Sequence, residues 1–172
     1  MDIFALTNKE DVVTVRGIKL TLHGIPALAI QRAERTLPPK PKVPWIEVKS
    51  TVKGAEHTER VKDPSDEPYL EALAEWDNLR AEKINDAMLA FGVDVDMPAD
   101  ETWMEVPKYL GIDIPADAVG QKLAFLKYFV LNTQQVIAEI VRRVSILSGL
   151  SEEAIVATEE SFRDTGERQS AK

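Results

Sequence analysis

The chain has 172 residues, 44% hydrophobic and 29% charged, with 21 Lys and Arg against 29 Asp and Glu for a net charge of −8. This length suits one domain with or without a small appendage, and a chain of this size can bury roughly 70% of its unfolded surface. A polyanion rewards positive surface, so duplex nucleic acid is not the expected partner. The absence of cysteine removes disulfides, thiol nucleophiles and thiolate metal sites. Met1-Asp2-Ile3-Phe4 lacks the basic and apolar regions of a secretory signal. No run reaches the roughly 18 apolar residues of a membrane span, so a cytosolic protein with no membrane partner is expected.

Charge divides the chain near Asp63-Pro64: residues 1–62 hold 11 basic and 7 acidic side chains, residues 63–172 hold 10 and 22. Val12 to Val15 is a β-branched run, Arg16-Gly17 suits a tight turn, and Ile18 to Leu22 alternates apolar and polar, which predicts a β-hairpin. Pro26 opens a helix over Ala27 to Arg35. Four prolines between Leu37 and Pro44 predict an extended arm, because proline fixes φ and lacks an N–H. Trp45 to Val48 and His57 to Val61 read as strands around a turn at Lys53-Gly54.

Asp63 to Pro68 is a helix-start signal, with Ser65 or Asp63 placed to cap. The helix runs to about Phe91, with Leu73, Trp76, Ile84, Met88 and Phe91 on one stripe, and Gly92 fits a C′ position. Residues 93–116 read as irregular apart from a short helix over Trp103 to Leu110. The strongest pattern follows. Val119, Leu123, Leu126, Val130, Thr133, Ile137, Ile140, Val144 and Leu147 recur every 3.5 residues on average, predicting one long helix that ends at Gly149. Phe125, Phe129, Val136 and Val141 widen its apolar face. A last helix from Ser151 to about Arg163 and a disordered tail follow. The expected architecture is α+β, mostly α: a small α+β unit over 1–62 with a Pro-rich arm at 37–44, a helical domain over 63–163, and a disordered tail over 164–172.

Chemistry-bearing constellations are thin. Asp94, Asp96, Asp100 and Glu105 echo the ligand spacing of a calcium loop, but Pro98 and Ala99 stand where an oxygen ligand and glycine are needed. A solvated acidic connection is the plainer account, and no metal is expected. His23 and His57 are the only histidines and show no partner in the sequence. No nucleophile elbow or phosphate-binding glycine motif is present, so no catalytic residue and no cofactor are expected. Arg32, Arg35, Lys40, Lys42, Lys49 and Lys53 surround Trp45, a thin basis for single-strand binding. The long apolar face packs as ordinary core, or is left partly bare and drives association. On the second reading Val119, Leu123, Leu126, Val130, Ile137, Ile140, Val144 and Leu147 form a partner-binding face.

The stretch Lys62-Asp63-Pro64-Ser65-Asp66-Glu67-Pro68-Tyr69-Leu70-Glu71-Ala72-Leu73-Ala74-Glu75-Trp76 resembles one in small proteins of tailed bacteriophages. There a Pro-rich segment and short strands precede it and a long helix follows. The segment from Gly149-Leu150-Ser151-Glu152-Glu153-Ala154 to Ser161-Phe162-Arg163 has the same character. Over roughly residues 36–92 and 117–163 the chain is similar to siphophage tail-morphogenesis proteins, tail assembly chaperones among them. The resemblance implies a non-enzymatic factor in the host cytoplasm. Its expected partners are the tape-measure protein or other tail proteins, held through apolar helix faces, with self-association as a further expectation. A structural tail or connector subunit is the alternative it implies.

Overall fold

The computed structural model describes residues 10–52, 55–100 and 102–150. Strand β1 (Glu10–Val15) and strand β2 (Ile18–His23) form the expected hairpin, in register from Glu10↔His23 to Val15↔Ile18. Arg16 and Gly17 carry φ of 52° and 81°, the paired positive angles of a type I′ turn, whose twist matches that of the strands. The alternation places Val13, Val15, Ile18, Leu20 and Leu22 on one face, and Leu20 and Leu22 are fully buried.

Helix α1 (Ala27–Glu34) follows Pro26 as expected. Strand β3 (Trp45–Val52) pairs antiparallel with β4 (Ala55–Lys62), from Trp45↔Lys62 to Val52↔Ala55. The predicted turn at Lys53-Gly54 lies outside the described residues, as do the predicted helix from Ser151 and the tail after it. Helix α2 (Glu67–Gly92) is the longest element. Its cap is Asp66 rather than Asp63 or Ser65: Asp66 Oδ1 accepts from Tyr69 N at 2.9 Å. Asp63 instead folds the approach, accepting from Ser65 N at 3.0 Å and Ser65 Oγ at 2.6 Å. These bonds favour the carboxylate and hold Asp63 below its ordinary range.

Gly92 is the last residue of α2, not a left-handed cap. A Cβ there would lie 2.4 Å from Val144 Cγ1, so close packing demands the glycine. Strand β5 (Val93–Val95) follows at once and pairs with β2 through Leu20↔Val95 and Leu22↔Val93, giving the sheet order β1-β2-β5. Sequence reading placed these residues in an irregular segment. Three residues straight after a helix are too few to display a period of two.

A 3₁₀ turn (Thr102–Met104) leads into helix α3 (Glu105–Tyr109), within the predicted short helix. The predicted single helix over 119–147 is three pieces: α4 (Ala118–Ala124), a π-helical segment (Phe125–Leu131) and α5 (Gln134–Leu147). The π segment buries Phe125, Leu126, Val130 and Leu131, which its i→i+5 bonding brings to one side. Asn132 then adopts φ 31°, and Thr133 caps α5 by accepting from Val136 N at 3.3 Å. Thr133 is the single polar position of the 3.5-residue stripe. It is polar because it starts a new helix.

The fold is α+β and mostly helical, with an antiparallel sheet toward the N-terminus and helices after it. By contacts the chain divides into two units, residues 37–80 and the segments that flank them, so the charge break at Asp63-Pro64 falls inside the second unit. In the first unit, the inner face of the sheet packs on Met88 and Leu89 of α2, on Phe125, Leu126, Val130 and Leu131, and on Ile140, Val141 and Val144 of α5. Trp103 meets Phe125 edge to face with centroids 5.3 Å apart. In the second unit, Trp76 Nε1 donates to Pro38 O at 2.8 Å and Lys40 Nζ lies 5.4 Å from the Trp76 ring. Asp63 N donates to Pro44 O at 2.9 Å. These contacts tie the Pro-rich arm to the start of α2.

Candidate interaction surface

The eight residues of the expected binding face do not share one surface. Leu126, Val130 and Val144 are fully buried and Ile140 nearly so. Leu123, Ile137 and Leu147 are partly buried against the same core. Val119 alone is largely exposed. The apolar stripe therefore packs mainly inside its own unit, against the sheet and the end of α2. Phe91, the last member of the α2 stripe, turns outward instead.

Apolar surface remains elsewhere in the first unit. Val106 and Tyr109 of α3 and its C-cap Leu110 are 60%, 90% and 62% exposed. Their spacing of three and four residues puts them on one side of the short helix. The opposite side is held by buried Trp103, Met104 and Pro107. The pattern Val-x-x-Tyr-Leu is legible in the sequence, but it predicts only a short helix and does not say which side is covered. In the second unit, Trp45, Ile46 and Val48 of β3 are exposed on both faces of the ribbon. Lys62 Nζ lies 5.4 Å from the Trp45 ring, so part of the aromatic surface proposed for base stacking is used within the protein.

A groove of about 290 Å³ opens between β1 and α5, lined by Val13 and Val15 on one side and Val136 and Ile140 on the other. Charged groups border it. Arg143 Nη1 donates to Asp11 Oδ2 at 3.0 Å and its Nε to Glu139 Oε1 at 2.8 Å. Arg142 Nε donates to Glu139 Oε2 at 2.9 Å. Hydrogen bonds from Arg142 and Arg143 pull the Glu139 carboxyl down to about 2. A depressed carboxyl contributes stability that is present above its unfolded value and lost as pH falls through the folded one. Glu139→Gln is expected to lower stability by about 0.5 to 1 kcal/mol at pH 7, after allowance for screening of a half-exposed side chain. The difference from wild type should close between pH 4.5 and about 2 in urea titrations. An equal difference at pH 2 and pH 7 would refute the assignment.

Beneath α4, Lys122 Nζ donates to Val93 O at 2.9 Å and approaches Asp94 at 3.6 Å. His23 lies between two carboxylates, with Nε2 3.0 Å from Asp94 Oδ2 and Nδ1 3.7 Å from Glu10 Oε1. The pairing of β2 with β5 makes this cluster, which sequence spacing cannot show. Lys127 Nζ reaches Asp86 at 2.9 Å and Glu82 at 3.6 Å. Burial pulls its pKa down, but the Asp86 hydrogen bond and the two carboxylate charges outweigh this and leave it raised. Two acids of the calcium-like spacing are spent separately: Asp94 on His23, and Asp100 on Thr102 N at 3.2 Å. Among the described residues, no group of three His, Cys, Asp or Glu is placed to hold a metal ion, and no helix is long and apolar enough to cross a membrane.

No protein-family model matches the chain, and neither a curated protein nor a solved structure does.

Proposed function

We propose that the chain is a non-enzymatic morphogenesis factor of a tailed bacteriophage. It acts in the host cytoplasm as a chaperone-like protein that holds apolar helices of the tape-measure protein. The reading rests on the phage-like stretch around Asp63 to Trp76, and one observation supports it: the uncovered side of α3, where Val106, Tyr109 and Leu110 stand in solvent. A helix with anchors spaced three and four residues apart is the form in which apolar helix faces recognise one another. The net charge of −8 keeps such a complex soluble. The face that binds is then α3 and not the 119–147 stripe, which the core consumes.

Co-expression with the tape-measure protein from the same genome is the test. The client is expected in the soluble fraction and bound. It should be lost from the complex when Tyr109 and Leu110 are both replaced by Ser, at an unchanged urea midpoint. A client that stays insoluble beside the wild-type chain would sink the reading. A structural virion subunit is the second reading, favoured by the β3–β4 ribbon: two strands alone are marginal in water, and Trp45, Ile46 and Val48 lie open on it. Mass spectrometry of purified virions separates the two, because a subunit is present at fixed copy number and a chaperone is absent.

A further inference from the structure

Strand β1 ends the sheet β1-β2-β5, so one of its sides has no partner among the described residues. The register fixes which backbone groups that side presents. Val15 and Ile18 close a two-residue turn and form a hydrogen-bonded pair, and in an antiparallel ladder such pairs alternate with non-bonded ones. Val15, Val13 and Asp11 therefore bond to β2, whereas the N–H and C=O groups of Thr14, Val12 and Glu10 point outward. The strand is unbulged across its six pairs and holds no proline. Its one inward-pointing charge, Asp11, is neutralised by Arg143 at 3.0 Å. Among the described residues, neither a bulge nor a proline blunts this edge, and its inward charge is cancelled. The apolar groove of Val13, Val15, Val136 and Ile140 runs along this same edge.

We infer that β1 pairs antiparallel with β1 of a second copy, about a two-fold axis through Val13, to make one continuous six-stranded sheet. The outward groups lie on even-numbered residues, so only registers that set even opposite even are allowed. Centring on Val13 sets Val12 opposite Thr14 and Glu10 opposite Arg16 of the second copy, twice by symmetry. Arg16 stands in the turn just beyond the strand, and there it exchanges its long, exposed 3.5 Å bond to Phe129 O for the Glu10 carboxylate; the β-branched pair covers Val12, which is 52% exposed. Centring on Val12 instead sets Glu10 opposite Thr14 and loses the charge match. On the inner face, Val13 meets its own copy and Val15 meets Asp11. The two grooves then come together over these side chains, and apolar surface open in the monomer is covered. The inference is independent of the tape-measure reading, since it concerns only contacts between identical chains.

Sedimentation equilibrium of the full chain tests it. The wild type is expected to be a dimer. Val12→Pro removes an outward N–H that β2 does not use, and φ near −65° is tolerated on an edge. It should give a monomer whose urea midpoint equals that of the wild type at concentrations where the wild type is also dissociated. Glu10→Arg and Arg16→Glu should each weaken dimerisation by about tenfold or more, and the two together should restore it. The double swap decides the matter if Val12→Pro does not fold, and it controls for the contacts of Glu10 with His23 and of Arg16 with Phe129 O, which it does not rebuild. A monomeric wild type, a dimer indifferent to Val12→Pro, or a double swap no better than either single change would overturn the inference. So would slow exchange of the Val12 and Thr14 amides in a monomer, because another part of the chain would then cover the edge.

Discussion

Leu126→Ala is expected to lower the free energy of unfolding by about 3 to 4 kcal/mol, a large share of what a domain of this size possesses. Leu126 is fully buried in the π-helical segment and belongs to the cluster of Leu20, Leu22, Phe125 and Val144. Removing its side chain forfeits the burial of three carbons and leaves a cavity that close-packed neighbours cannot fill. Val119→Ala, at the one exposed position of the same stripe, should change stability by no more than about 0.5 kcal/mol. Urea titration of both variants distinguishes a core residue from a docking residue. Were Leu126→Ala as stable as Val119→Ala, the stripe would be surface after all.

Gly24→Ala is expected to cost about 2 to 3 kcal/mol. A Cβ at residue 24 would stand 2.5 Å from Leu147 O and 2.9 Å from Leu147 C, where backbone must yield rather than a side-chain tip. The same junction is bonded: Ile25 N donates to Ser148 Oγ at 2.9 Å, and Ser148 Oγ donates to Val144 O at 2.7 Å. The end of β2 is thereby seated on the last turn of α5, which closes with Leu150 N on Ser145 O and Gly149 N on Ile146 O. Because the methyl group would push this turn aside, Gly24→Ala and Ser148→Ala should be non-additive by about 0.5 kcal/mol or more in a double-mutant cycle. Strict additivity, or a Gly24→Ala loss below about 0.5 kcal/mol, would show that the junction is loose.

Local pattern carried far. The β1–β2 hairpin was legible because Arg16-Gly17 stands between two β-branched runs, and α1, the Pro-rich arm, the β3–β4 pairing and α2 followed from similar punctuation. Two things escaped. The heptad count ran through Asn132 and Thr133, although Asn tolerates a left-handed angle and Thr is a good cap. Spacing alone does not register a break when the period resumes in phase. β5 escaped because its reason for being a strand lies in β2, about 70 residues earlier. The expected binding face was misplaced for a related cause. Periodicity reports that a face is apolar and says nothing about which surface covers it. The sheet that covers most of the stripe is assembled from both segments of the first unit.

The pairing of Leu22 with Val93 sets the order of events on the ribosome. When β2 leaves the exit tunnel, its second neighbour is still to emerge, and roughly 70 residues must be added before it does. At about 5 to 20 residues per second, that is a wait of roughly 4 to 14 s. Throughout it, the nascent hairpin lacks Met88, Leu89, Val93 and the residues of the π segment and α5 that complete the core around Leu20 and Leu22. The segment spanning residues 37–80 emerges entirely within this interval, so its ribbon and arm have time to form before the earlier sheet can be completed.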